Sequence, residues 1–330
     1  MALILREADV RAVLTMGDTM RVLEAAFRRA AAGEARNQPR RRVALPEGRG
    51  VLHVLPAYTP GTPGHPEEDG PGLVGLKSYA AVGGKVRFLV QLFSGDDGRL
   101  LALIEADLLG QMRTGGASGV ATRYMARPDA RVVAMIGAGG QARTQALAMR
   151  EARPVEKFLV YGRSQERTRT FCEALAAEIS VPFEAVEQPE QAVRAAEIIV
   201  TATTARDPVV QGAWLQHGQH LNVMGSNWAH RREVDGEAVR RSAVVAVDAR
   251  DQAEIEAGDL LLAAQAGDFA LERAVELADI VAGSVTGRPD LAAITLFKSL
   301  GIGLEDVAVA GWVYARARER GLGQEIELLP

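Results

Sequence analysis

Gly137, Gly139 and Gly140 stand between an apolar run, Arg131 to Ile136, and a stretch of small and apolar residues from Gln141 to Glu151. The run reads as a buried parallel strand and the stretch as a helix packed on a sheet. The spacing G-x-G-x-x-A closes on Ala142. In such a turn the first glycine makes the tight corner, the second admits a pyrophosphate to the helix N-terminus, and the third position packs helix on strand. Glycine triplets also occur in plain loops. Strand before and helix after are what make this one a dinucleotide-binding turn.

The next strand, Lys157 to Tyr161, should end beside the adenosine ribose, where sites for NAD place an acid on the free 2'-hydroxyl. Here the chain reads Gly162, Arg163, Ser164, Gln165, Glu166, Arg167, with no carboxylate at the strand end. Arg163, with Ser164 beside it and Arg167 a turn on, suits a 2'-phosphate, because guanidinium is a forked, permanently charged donor. The residues therefore favour NADP(H) over NAD(H), against the plainer reading of a solvated arginine at a helix start. A second oddity concerns the 38 basic residues, of which only Lys77, Lys85, Lys157 and Lys298 are lysines. Guanidinium cannot give up its proton, so a lysine kept in such a chain marks a place where a titratable amine has work to do. Lys77 is the one to watch.

The elements that must position these residues can be read in order. A short apolar run opens the chain at Leu3. A helix follows, with Asp18 or Thr19 as its cap, Met20, Leu23, Phe27 and Ala30 on one face, and Gly33 as its stop. A basic cluster, Arg36 to Val43, leads into the strand-like stretch Val43 to Tyr58. Thr59 to Gly72 is rich in Pro, Gly and acid and reads as a loop. Leu73 to Ala81 and Val86 to Phe93 are strands, Ser94 to Gly98 is a hairpin turn, and Leu100 to Ile104 returns. Glu105 to Arg127 is a long helix whose small residues allow close backbone approach. Beyond the glycine turn, Gln188 to Ala196 is helical, and Glu197 to Thr203, Gln219 to Met224 and Ala243 to Val247 are strands. This alternation indicates a doubly wound parallel sheet, with Thr201, Thr203, Gly225, Ser226 and Asn227 at strand ends beside a ligand crevice. Leu296 to Arg320 reads as one long amphipathic helix that packs back on the N-terminal module.

Composition sets outer bounds. With 330 residues, 48% hydrophobic and 24% charged, the chain is an ordinary globular protein long enough for two cores. A net charge of -4 offers no basic field for nucleic acid. No apolar stretch is long enough to span a membrane, and Cys172, the single cysteine, permits no disulfide framework. A cytoplasmic location is the expectation.

Several separated motifs now coincide: Gln38-Pro39-Arg40-Arg41, Leu55-Pro56-Ala57-Tyr58, Gly75-Leu76-Lys77, Met112-Arg113-Thr114, Gly137 to Ala142, Thr201-Ala202-Thr203, Arg232-Glu233-Val234-Asp235 and Phe297-Lys298-Ser299-Leu300-Gly301. Together and in this order they resemble the ornithine cyclodeaminase/mu-crystallin family over nearly the whole chain. The resemblance implies an α/β fold in which a Rossmann-type doubly wound sheet, residues 126–295, is flanked by a discontinuous substrate-binding and dimerisation domain, residues 1–125 plus 296–330. It implies a homodimer acting on a small amino or imino acid, with neither nucleic acid, membrane nor metal involved. Family activities include cyclodeamination of ornithine or lysine, alanine dehydrogenation and reduction of cyclic ketimines.

Carried over residue by residue, the resemblance makes Arg41 and Arg113 the pair that clamps the substrate carboxylate and Lys77 the group that exchanges protons with the substrate nitrogen. An amine near two guanidinium groups would have its pKa lowered towards the working range, which agrees with that role. Asn227, Ser299 and Leu300 would join Arg41, Lys77 and Arg113 around the substrate. Arg113, Gly137, Gly139, Gly140, Gln141, Arg163, Ser164, Arg167, Thr201, Thr203, Met224, Gly225 and Ser226 would meet the cofactor. Two departures matter. Ornithine cyclodeaminase places Asp where this chain has Asn227, which removes the partner for a charged side-chain amine. Gly162 replaces the acid of NAD-using members, which points to NADP(H) and to reduction. The expected activity is therefore reduction of a ketimine such as pyrroline-2-carboxylate or piperideine-2-carboxylate, against a cyclodeaminase with catalytic NAD+, an alanine dehydrogenase-like enzyme, or a ligand-binding protein without turnover.

Overall fold

The computed structural model describes residues 1–65, 70 and 72–328. Pro66 to Asp69 and Pro71, the acidic part of the Pro/Gly-rich loop, lie outside the described residues. The chain divides into two compact units, residues 1–113 with 301–330 and residues 114–300.

In chain order the elements begin with β1 (Ala2–Leu5), α1 (Glu7–Val13), α2 (Met16–Ala31), β2 (Arg36–Asn37), β3 (Arg41–Ala44), β4 (Gly50–Thr59), β5 (Leu73–Val82), β6 (Lys85–Ser94), β7 (Leu100–Glu105) and α3 (Asp107–Met125). There follow β8 (Val132–Ile136), α4 (Gly140–Ala152), β9 (Lys157–Tyr161), α5 (Gln165–Ile179), β10 (Phe183–Ala185), α6 (Pro189–Ala195), β11 (Ile198–Thr201) and β12 (His220–Val223). The last are α7 (Gly236–Arg241), β13 (Ser242–Val247), α8 (Arg250–Glu256), α9 (Gly258–Gln265), β14 (Val275–Glu276), α10 (Leu277–Ala282), β15 (Ile294–Lys298), α11 (Gly303–Glu319) and β16 (Gln324–Ile326).

The first unit is built on a mixed sheet ordered β16-β1-β7-β6-β5-β4-β2, with β3 also on β4. Among the described residues of this sheet, only β1 and β7 pair in parallel. Its inner face buries Leu55, Ala57, Leu73, Val90 and Leu92 against α11, and its outer face leaves Val43, Leu52, Val74 and Val82 exposed. Alternation along each strand sorts the two faces, since successive side chains point to opposite sides. The cap of α2 is Thr15, whose hydroxyl accepts from the Asp18 amide at 3.1 Å, and not Asp18 or Thr19. The helix begins one turn earlier than the apolar periodicity suggested, because Met16 is itself buried.

The second unit is an all-parallel sheet in the order β10-β9-β8-β11-β12-β15-β13-β14. The chain reverses direction of winding between β8 and β11, the switch point where ligands of such sheets bind. Ala134, Ile136, Ile199, Leu221, Val223, Val245, Val247 and Leu296 form its core, each large aliphatic contributing about 1.5–3 kcal/mol by burial.

One expectation fails here. Leu296 to Lys298 are not the start of a long amphipathic helix; they belong to β15, hydrogen-bonded between β12 and β13. A short apolar run fits a buried strand as well as a buried helix. The chain then turns at Gly301, whose φ of +72° suits glycine. The helix that follows is buried without break from Gly303 to Val313, Glu305 and Asp306 included, so it is covered on every side there rather than amphipathic. Pairing of β15 also explains why the second unit runs to residue 300 where the sequence suggested 295; at the other end the division falls inside α3, at 113/114 instead of 125/126.

Candidate active site

The glycine turn lies at the C-terminal end of β8 and opens a groove of about 630 Å3 in the second unit. Gly137 has φ +117°, and a side chain there would run into the carbonyl of Ala202. Its amide donates to the Tyr161 carbonyl at 2.8 Å, so β8 and β9 are tied at the turn. Gly139 precedes α4 with no side-chain cap, and a Cβ added to it would meet nothing within 4 Å. Gly140 and Gln141 begin the helix. An uncapped N-terminus facing open space on a glycine is the arrangement a pyrophosphate needs. Arg163, Ser164 and Arg167 line the far part of the groove, with Ser164 capping α5 through the Arg167 amide. Gly162 is held to glycine because a Cβ would strike the hydroxyl of Thr168. An acid at this strand end is thus excluded by packing as well as absent from the sequence. The groove fits a dinucleotide.

Of the expected residues beyond β11, Thr203 lines the groove. Thr201 does not face it: fully buried, its hydroxyl donates to Glu233 at 2.8 Å. Met224, Gly225, Ser226 and Asn227 form the turn after β12. The Met224 amide donates to the Thr201 carbonyl at 3.2 Å, and Ser226 is buried. Ser299 and Leu300 follow β15, both buried, and the Leu300 amide donates to the Asp248 carboxylate.

In the first unit Lys77 lies on the inner face of β5, 2% exposed. Its ammonium donates to Asp306 Oδ1 at 3.0 Å. Arg113 reaches the same oxygen through Nε at 2.9 Å and Glu305 through Nη1 at 3.1 Å. Gly301 leaves room for that guanidinium, since a Cβ there would overlap it. Both acids are completely buried near the start of α11. Burial first and then Arg113 lower the Lys77 pKa, Asp306 resists, and the balance takes it from 10.5 to about 8. Burial works the other way on Asp306, but Arg113 and Lys77 outweigh it and hold the carboxyl below its usual range.

Arg41 is not brought to this cluster. It pairs opposite Val54 on β4, and Val54 pairs opposite Ser78, so Arg41 shares the outer face of the sheet and is exposed. Lys77 pairs opposite Leu55 on the inner face. A shift of one residue moves a side chain to the other side. Arg40, 6% exposed, reaches the inner side, donating to the Tyr79 hydroxyl at 2.6 Å and the Gly301 carbonyl at 2.9 Å. Arg42 pairs opposite His53, which stacks on Tyr79 at 4.2 Å between centroids. Burial, then Arg40, Arg42 and Lys77, push His53 down to about 4, so it is neutral at pH 7. Sequence reasoning missed Arg40, Asp306, Glu305 and Glu233. Adjacent acids within an apolar helix were a usable signal, because buried carboxylates require partners.

The profile of the ornithine cyclodeaminase/mu-crystallin family matches residues 1–321. The chain belongs to this family. Among family members, a Delta(1)-pyrroline-2-carboxylate reductase of Bacillus cereus is 37% identical over 72% of this chain and 74% of that one. The solved structure of Thermococcus litoralis Delta(1)-pyrroline-2-carboxylate reductase in complex with NADH and L-proline superposes with a TM-score of 0.91 at 34% identity, covering 98% of this chain and 100% of that one. An archaeal alanine dehydrogenase dimer with bound NAD gives a TM-score of 0.90 at 28% identity, covering 99% of each. The Rossmann-type fold of the second unit agrees with these relatives.

Proposed function

We propose that the protein is an NAD(P)H-dependent reductase of imino acids, with a cyclic ketimine such as pyrroline-2-carboxylate or piperideine-2-carboxylate as substrate and proline or pipecolate as product. The observation that carries the reading is the buried Lys77–Asp306–Arg113 cluster, which keeps a lysine charged yet able to release its proton near neutral pH. The relatives named as pyrroline-2-carboxylate reductases support the substrate class.

When bound, the reduced nicotinamide supplies hydride to the imine carbon; the C=N double bond becomes a C–N single bond, and one proton is needed at nitrogen. Arg40 and Arg113 bind the carboxylate, a task for forked and always charged donors, with Arg40 taking the part first expected of Arg41. Lys77 holds the proton for the substrate nitrogen. Asp306 Oδ2, buried and without a hydrogen-bond partner among the described residues, is an acceptor for the N–H that results. Gly137, Gly139, Gly140 and Gln141 would hold the pyrophosphate, and Arg163, Ser164 and Arg167 the adenosine end. This last group supports NADPH as the preferred donor, while the NADH complex of the relative supports use of NADH as well. Asn227 offers a neutral amide to a side-chain amine, which weighs against ornithine or lysine as substrate.

The apolar outer face of the first unit's sheet, Val43, Leu52, Val74 and Val82, supports a homodimer like that of the archaeal alanine dehydrogenase.

Oxidation of NADH and of NADPH with a panel of cyclic imines, and of keto acids with amines, tests the activity. Imine-dependent oxidation yielding the cyclic amino acid is expected. Conversion of ornithine to proline and ammonia with catalytic NAD+ and no net oxidation would replace the reading by a cyclodeaminase.

A further inference from the structure

Two motifs that mark the family in sequence, Arg232 to Asp235 and Phe297 to Gly301, contribute no substrate-clamping or proton-carrying group. At their centres are two completely buried charges, Glu233 and Lys298. Glu233 Oε1 accepts from the backbone amide and the hydroxyl of Thr203, both at 2.7 Å. Its Oε2 accepts from the Thr201 hydroxyl at 2.8 Å and the Gly225 amide at 2.6 Å. Four donors therefore converge on one carboxylate, and they come from the ends of β11 and β12, adjacent strands at the edge of the dinucleotide groove.

Glu233 is itself held. Asp259 Oδ1 accepts from the Glu233 amide at 2.6 Å and the Val234 amide at 3.1 Å. Lys298 makes an ion pair with Asp259 at 2.8 Å and donates to the Ser226 carbonyl at 2.7 Å. The chain of charges ties β15, the start of α9 and the turn after β12 to one another. Gly225 completes it: a Cβ there would collide with the Glu233 carboxylate and the Thr203 backbone. We propose that Glu233 is the positioning residue of the cofactor groove, fixing Thr203 and Gly225 in the arrangement the dinucleotide binds, with Asp259 and Lys298 holding Glu233.

A carboxylate is required for geometric reasons. It is acceptor-only, with lone pairs enough for all four donors. The two hydroxyls can rotate, but the amides of Thr203 and Gly225 cannot. A glutamine would have to turn its NH2 towards one of those amides, leaving a buried N–H unpaired and the strand end displaced.

The inference rests on the dinucleotide reading of the groove and not on the substrate, so the test measures binding without turnover. NADH and NADPH are titrated into the purified protein by nucleotide fluorescence, wild type against Glu233→Gln. The expected result is a dissociation constant raised about tenfold or more, equivalent to about 1.4 kcal/mol. A purely structural role would lower the melting temperature and leave the dissociation constant of the folded protein alone. Wild-type affinity in Glu233→Gln overturns the proposal, whereas a wild-type protein that binds neither nucleotide overturns the groove reading beneath it. Should the variant not fold, amide hydrogen exchange of the wild type still decides. Slow exchange at Thr203 and Gly225 without cofactor is expected; fast exchange that slows only on adding NADPH would mean that the cofactor, not Glu233, orders these ends.

Discussion

Lys77 Nζ and Asp306 Oδ1 are 3.0 Å apart, and neither side chain is open to solvent. Without that carboxylate a buried ammonium would surrender its proton, since burial and Arg113 both disfavour its charge. With it the pKa is about 8. The consequence is a pH limb of known sign. In the proposed reaction the charged form delivers the proton, so kcat/KM for imine reduction should be high below about pH 8 and fall above it, with the reverse oxidation rising across the same range. Lys77→Met should lose the limb and roughly two orders of magnitude in rate. Asp306→Asn should move the limb to lower pH. A profile flat from neutral to alkaline in the wild type would remove Lys77 from the proton path.

The face of the sheet decides between two neighbouring arginines. Arg40 is buried against Tyr79 and Gly301, whereas Arg41 stands on the outer face with Val54. Arg40→Met should therefore lower kcat/KM for the imino acid roughly 10- to 100-fold, mostly through KM, as expected for charge-assisted hydrogen bonds of about 1.5–3 kcal/mol. Arg41→Met should leave those constants alone. Steady-state kinetics of the pair tests the register directly, and the opposite ranking would mean that the strand is shifted by one residue in the working enzyme.

The same two residues show how far the sequence could be read. The glycine turn was legible because it imposes local constraints, a positive φ at Gly137 and open space at Gly139, that only certain residues satisfy. The flanking motifs singled out Lys77 and Arg113, which share one buried carboxylate. The choice among Arg40, Arg41 and Arg42 was not, because every candidate in the cluster is an arginine and only pairing with β4 tells which faces inward. The adjacent acids Glu305 and Asp306 signalled a buried ion pair, but the partner of Asp306 lies 229 residues away and those of Glu233 about 30, which no local pattern names. β15 was lost to the overlap between short buried strands and buried helices.

Cofactor choice can be tested at Arg163. The groove offers Arg163, Ser164 and Arg167 at the end of β9, and Thr168 leaves no room for an acid in place of Gly162. Arg163→Ala should reduce kcat/KM for NADPH roughly tenfold by removing a charge-assisted contact to the 2'-phosphate, with much less effect on NADH. Equal losses with both nucleotides would show that the arginine serves something other than the extra phosphate.

Two buried histidines should make the fold less stable in acid. His53 is pushed down to about 4, by burial first and then by Arg40, Arg42 and Lys77. His220 falls to about 3, by burial first and then by Arg288 and Arg153, and its ring lies 2.9 Å from the Thr295 hydroxyl. Both are neutral when folded but take up a proton when unfolded below about pH 6.5. The unfolded state then binds more protons, so stability falls as pH falls from about 6.5 towards 4, by up to about 1.4 kcal/mol per pH unit for each histidine. Urea unfolding between about pH 6.5 and 5 isolates this contribution, because most carboxylates are still ionised there. His53→Asn should reduce the slope by about half a proton at pH 6.5, rising to nearly one at about pH 5, whatever it does to absolute stability. An unchanged slope would mean that His53 titrates normally in the folded protein, and the inner face around Lys77 would then be far wetter than its packing implies.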